Sequence, residues 1–223
     1  MLVTPRRCRA RTIATPARRR DDRAVVIGST DIARWEWRSF GPQFGPAGQQ
    51  LSSLAPDRVE ESDETYVLAA GCDASVKVRA GGIDVKHLLQ VDEDGLEQWM
   101  PVLKARFPLS RDDARLVLET LGAPGPPPDG VVDTLDDLVG MSAGAVAFDV
   151  HKHRAHYTIG GCMAELTEIR GESGAVRTMA IEANDAARVR AAVSELGLSG
   201  RRVECMARGL KALEGITTTD ATA

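Results

Sequence analysis

Fifteen consecutive residues, "AVAFDVHKHRAHYTI" from position 145 to 159, contain no glycine and no proline. They alternate in character with period two, and side chains on a strand point alternately to opposite faces. Phe148, Val150, Lys152 and Arg154 fall on one face, with Asp149, His151 and His153 on the other. A β-strand is the expected structure, bent somewhere if it runs the full length. The pattern recurs. In "RWEWRSF", Trp35, Trp37 and Ser39 share a face opposite Arg34, Glu36, Arg38 and Phe40. In residues 75–80, Lys77 and Arg79 oppose Val76 and Val78, and in "IDVKHLLQV" Asp84 and Lys86 share a face. The turn "AGG" joins the last two strands into a hairpin, and three cations then point the same way if the register matches them.

Other segments complete an α+β plan. "ETYVLAA" reads as a strand, as do "CMAELTEIRG" and "AVRTMAIEA" joined by the turn "ESG". A short helix is expected near residues 49–54. "GLEQWMPVLKARF" and "SRDDARLVLETLG" have helical spacing, the second capped by Ser110 with Asp112 and Asp113 in its first turn. "GAPGPPPDG" is a break and "DTLDDLVGM" a short helix capped by Asp133. "NDAARVRAAVSELGL" is a helix capped at Asn184 or Asp185 and stopped at Gly197, and "RRVECMARGLKALEG" ends the ordered chain. About eight strands with short turns suffice for an antiparallel barrel, which either fills with apolar side chains or encloses a ligand.

Composition narrows the function. Of 223 residues, 43% are hydrophobic and only 4% aromatic, so the core draws on Val, Leu, Ile and Ala. No run approaches the roughly 18 to 20 apolar residues of a membrane span. Residues 1–21 hold seven arginines and one acid, Asp21, leaving 21 basic and 31 acidic residues elsewhere, a net of −10. Such an acidic body excludes a general nucleic-acid surface. The first 30 residues are expected to be a disordered basic arm, whether as a tail, a targeting-like segment or sequence upstream of the true start. Residues 31–216 form the single domain and 217–223 a frayed tail. Four cysteines, at 8, 72, 162 and 205, make no C-x-x-C pair and read as free thiols in a reducing cytoplasm.

Two arrangements fit the repeated cations. They are solvated faces of a sheet, where lysine and arginine also discourage edge pairing. Alternatively, the apolar faces pack outward on helices and the charged faces line an interior. A barrel so lined would repel itself when empty and would fit a polyanion, arginine offering bidentate and lysine point contacts to phosphate. Acids on the same faces, Glu36, Glu165 and Glu182, could hold Mg²⁺ or Mn²⁺ between protein and phosphate oxygens. His151, His153 and His156 do not share a zinc spacing with any acid or cysteine. Trp35, Trp37 and Trp99 are expected to pack in the core rather than stack on a base.

In order along the chain, "RWEWR", "VKVR" with "DVK", "HKHR", "MAELTEI", "MAIEA" and "MARGLKAL" resemble the CYTH domain, the triphosphate tunnel metalloenzyme superfamily. The resemblance runs from about Ala33 to Gly215. It implies an antiparallel eight-stranded tunnel-like barrel with inserted and C-terminal helices, and a triphosphate or polyphosphate ligand. It further implies hydrolysis of inorganic triphosphate, polyphosphate or an organic triphosphate with a divalent metal; some relatives are adenylyl cyclases. By position, Glu36 and Glu182 would be catalytic and, with Glu165 or Glu168 nearby, would hold the metal. Arg34, Arg38, Lys77, Arg79, Lys86, Lys152, Arg154 and Arg208 would hold phosphate. The sequence departs from the family hallmark E-x-E-x-K on the first strand, where Arg34 stands for the first glutamate and Arg38 for the lysine. Ala180 likewise stands where a second glutamate precedes Glu182. Halved carboxylate sites point to the alternative of a binding or regulatory module without catalysis.

Overall fold

The computed structural model describes residues 32–123 and 128–216. Eight strands and five helices lie among them, in the order β1 (Arg34–Phe40), α1 (Gly45–Ser53), β2 (Arg58–Ala69), β3 (Ser75–Arg79), β4 (Gly82–Val91), β5 (Glu97–Arg106), α2 (Arg111–Thr120), α3 (Leu135–Gly140), β6 (Ala145–Ile159), β7 (Cys162–Gly171), β8 (Gly174–Ala183), α4 (Ala186–Glu195) and α5 (Met206–Glu214). The strands close into a barrel in the order β1-β5-β4-β3-β2-β6-β7-β8. Every pairing is antiparallel. This is the α+β tunnel-like barrel that the resemblance implies. The expectations for residues 1–30 and 217–223, and part of the "GAPGPPPDG" break, lie outside the described residues.

Alternation decides which way each strand faces. Trp37 is 3% exposed and packs outward with Ile181, Ala164 and the α4 residues Val189, Ala192 and Val193. On the opposite wall, Val67, Val76, Ile83, Val85 and Leu103 pack against Ala114, Val117 and Leu118 of α2 and Leu138 of α3. The apolar faces of the strands therefore meet helices, and the charged faces turn inward. At one end the inward face becomes apolar. There Tyr66, Leu68, Trp99, Phe148, Val150 and Ile169 pack against Ala207 and Leu210 of α5, which plugs the barrel. Gly209 lets this helix approach, since a Cβ there would lie 2.2 Å from Phe40.

Three expectations need correction. "GLEQWMPVLKARF" is the strand β5, not a helix. Glu97 and Trp99 are buried two apart on the inner face, and Leu103, past the register shift against β4, is buried on the outer one. Pro101 sits beyond the reach of β1, whose pairing stops at Trp99, and beside a register shift against β4, so its missing N–H breaks no ladder there. β2 begins at Arg58, well before the expected "ETYVLAA". Its first half carries polar residues on both faces, which hides the strand signal. Finally, α3 is capped by Thr134, whose hydroxyl accepts from Asp137 N in a capping box, rather than by Asp133. The caps at Ser110 and Asp185 and the left-handed Gly197 are as expected.

Candidate functional site

The register places the inward charges side by side. Lys77 lies opposite Asp84 and Ser75 opposite Lys86, so Lys77, Arg79 and Lys86 share the inner face of the hairpin. On β6, Lys152 and Arg154 pair with Ser62 and Glu60 of β2. Glu36 stands opposite Glu182, and Arg38 opposite Ala180, which in turn faces Glu165 on β7. Glu36, Arg38, Lys77, Arg79, Lys86, Lys152, Arg154, Glu165 and Glu182 all line one inner cavity of about 320 Å³. A wider cavity of about 650 Å³ adjoins it, sharing Lys77, Lys86, Trp99 and Glu182 and adding Arg34. Arg208 itself lines neither cavity: it donates to Asp73, which lines the inner one, at 3.0 Å, and to Glu97.

Acids that the sequence alone did not single out offset part of the repulsion expected in the interior. Glu64 is the centre. Arg154 donates to Glu64, and Lys152 Nζ lies 3.2 Å and Lys77 Nζ 3.5 Å from its oxygens. Tyr66 Oη donates to Glu64 at 3.0 Å and accepts from Lys152 Nζ at 2.6 Å. Nearer the open end, Glu60 accepts from Arg79 at 2.8 Å and from Arg154 at 3.3 Å.

Burial opposes the charge on Glu64, but Lys152, Lys77 and Arg154 outweigh it and hold the carboxyl well below the usual range. One carboxylate is shared among several cations, so each cation is only partly compensated. Lys152 is 2% exposed, and burial, against the pull of Glu64 and reinforced by Arg154, brings it down to about 7. Burial likewise lowers Lys77. On the β1 side, burial of Glu165 is overcome by Arg38 and by the Thr167 hydroxyl at 2.6 Å, which brings the carboxyl to about 2. Burial of Glu36 is overcome chiefly by Arg38, which lowers it too.

Could these acids hold a divalent cation? Glu36 accepts from Arg38 Nε at 2.8 Å, and Arg38 Nη1 lies 3.5 Å from Glu165. Glu182 accepts from Arg34 at 3.0 Å. Each of the three is already engaged by an arginine, and among the described residues no three Asp, Glu, His or Cys side chains converge as a ligand set. The residues present do not fit the expected Mg²⁺ or Mn²⁺ centre. Trp99 faces inward and donates to Glu97 at 3.2 Å, while Trp35 packs with the outer cluster around Trp37. His151 is held at 2.8 Å by Asp63, and His156 lies 3.2 Å from Arg58. Cys162 and Cys205 are free thiols. No helix among the described residues is long and apolar enough to cross a membrane.

No family model matches the chain. No curated protein matches it either. Several solved structures do. One is an adenylyl cyclase candidate from Hippeastrum described as having a dominant triphosphatase activity, 13% identical with a TM-score of 0.47, the match covering 82% of this chain and 96% of that one. Another is an adenylate cyclase candidate from Bacillus halodurans, 12% identical with a TM-score of 0.43, covering 77% and 93%. A third is a protein from Pyrococcus horikoshii, 16% identical with a TM-score of 0.42, covering 77% and 94%. At this level of likeness the fold stands on the strand order and register of the chain itself.

Proposed function

We propose that the barrel binds a linear phosphate polyanion: inorganic triphosphate, a short polyphosphate, or the triphosphate group of an organic molecule. A single observation carries this. Six cations from four strands, Arg38, Lys77, Arg79, Lys86, Lys152 and Arg154, converge on one cavity in a chain whose body is otherwise acidic. Burying cations is costly unless something compensates them. The interior acids supply part of that compensation, and a bound polyanion would supply the rest. Guanidinium forks suit phosphate oxygens, and ammonium groups add point charges. The α5 plug closes one end, which favours a slim ligand over a duplex or a broad protein surface.

Binding is the reading the geometry supports best, ahead of metal-assisted hydrolysis through Glu36 and Glu182. Those two acids face each other across β1 and β8, yet each is tied to an arginine. The test is calorimetric titration of the full-length protein with inorganic triphosphate and with polyphosphate, alongside an assay for phosphate release. The expected result is saturable binding that falls steeply with salt and weakens about tenfold or more in Lys77→Ala, as loss of a charge-assisted phosphate contact implies. Absence of binding to both ligands, with and without a divalent cation, overturns the reading. Release of phosphate at a catalytic rate replaces it with the hydrolase reading.

A further inference from the structure

The two departures at the β1–β8 seam are one feature seen from two strands. Arg38, Ala180 and Glu165 lie in a row across β1, β8 and β7, each the register partner of the next. The methyl group of Ala180 leaves room for the Arg38 guanidinium to lie across it. From there Nε donates to Glu36 at 2.8 Å, and Nη1 donates to Thr178 Oγ1 at 3.3 Å and lies 3.5 Å from Glu165. A glutamate at 180 would put a longer side chain between Arg38 and Glu165 in this row. Arg38 is only 8% exposed, and its charge is permanent at any pH the fold survives.

We propose that Arg38 is a built-in substitute for a metal ion, bridging Glu36 and Glu165, so that this barrel takes its phosphate polyanion without a divalent cation. The inference rests on the polyanion reading of the same cavity. Mg²⁺ needs carboxylate oxygens at about 2.0–2.1 Å and Ca²⁺ at about 2.3–2.6 Å. Here the guanidinium stands between the two acids, and a divalent ion would have to enter against its positive charge. Of the three acids, Glu182 is the one held by a mostly exposed partner, Arg34, whose side chain is 54% accessible. One displaceable carboxylate is a poor cage for a metal. A guanidinium, in contrast, has donors to spare. Arg38 lines the cavity, and the contacts to Glu36, Thr178 and Glu165 use Nε and Nη1, which leaves Nη2 for a phosphate oxygen.

The experiment is calorimetry of the wild-type protein with sodium triphosphate, once in EDTA and once with saturating Mg²⁺, together with Mn²⁺ titration of the ligand-free protein followed by electron paramagnetic resonance. Binding is expected in EDTA, and Mg²⁺, which complexes the ligand and screens its charge, is expected not to tighten it by more than about threefold; the free protein shows no saturable Mn²⁺ site. Binding seen only with Mg²⁺, or a Mn²⁺ site lost in Glu36→Gln, overturns the inference and leaves the polyanion reading standing. Binding in neither condition removes both. A second variant, Arg34→Glu with Arg38→Lys, swaps one arginine for a carboxylate and draws back the other. It is expected to gain a Mn²⁺ site and a Mg²⁺-dependent Kd. If it folds without gaining either, Arg38 is not what excludes the metal and the inference fails. If it does not fold, the wild-type measurements decide.

Discussion

Glu64 is the residue on which the interior depends. It is 2% exposed and anchors Arg154, Lys152, Lys77 and Tyr66. A buried carboxylate stripped of its charge leaves its cations uncompensated, which typically costs about 3–5 kcal/mol. Glu64→Gln is therefore expected to lower the urea midpoint strongly. Added triphosphate should recover more of that loss than it adds to the wild type, because the ligand then meets cations that Glu64 no longer shares. Equal ligand-induced shifts in both proteins would show that Glu64 and the ligand do not compete for the same cations. Arg38 plays the converse role on the other wall: one cation shared by two acids. Lysine at that position would have no planar fork to span both.

At the scale of elements, the β3–β4 hairpin sets the register that brings three cations inward. Its two-residue turn has positive φ at both Ala80 (48°) and Gly81 (74°), the type I′ geometry that matches strand twist. Gly81 adopts this freely, but Ala80 does not, since a left-handed residue with a Cβ costs about 1–2 kcal/mol. The β6–β7 turn solves the same problem with glycine at both positions, Gly160 and Gly161. Ala80→Asn, exposed at the hairpin tip, is expected to stabilise the protein by about 0.5–1 kcal/mol, recovering part of that cost. Thermal unfolding checks it, and a lower midpoint would contradict the turn assignment.

At the scale of the whole molecule, the barrel couples fold stability, ligand and protons through Lys152. Its value falls from 10.5 in the unfolded chain to about 7 in the fold. Between these values the unfolded chain keeps a proton that the folded one has released, so this group makes stability rise with pH from about 7 to 10.5. A bound polyanion favours the ammonium form, so binding above pH 7 takes up a proton and weakens as pH rises, by at most about tenfold per unit for one proton. Calorimetry in buffers of different ionisation enthalpy should show less proton uptake in Lys152→Met than in the wild type. Equal uptake would assign the proton to the ligand. Glu165 also makes stability rise with pH, in a lower window: its stabilisation is full above pH 4.5 and is lost as pH falls from there towards 2.

The period-two pattern of Trp35, Trp37, Val76 and Val78 against Arg38 and Lys77, and of Phe148, Val150, Lys152 and Arg154 against Asp149, His151 and His153, determined by itself that these segments are strands with a charged face. Alternation is a local property, so "RWEWRSF" and the fifteen residues around Lys152 were legible. β5 was not, because Trp99, Val102 and Leu103 also fit a helical spacing, and only pairing with β4 and β1 removes the ambiguity. Part of the acid half of the interior was hidden for a related reason. Glu60 and Glu64 lie on a strand whose outward residues, Glu61 and Asp63, are themselves polar, so no apolar rhythm marks it. Which face turns inward, and which acid meets which cation, was decided by barrel closure. Closure brings residues 60, 64, 77, 152 and 154 from three strands into one low-dielectric space, where each charge is set by its neighbours.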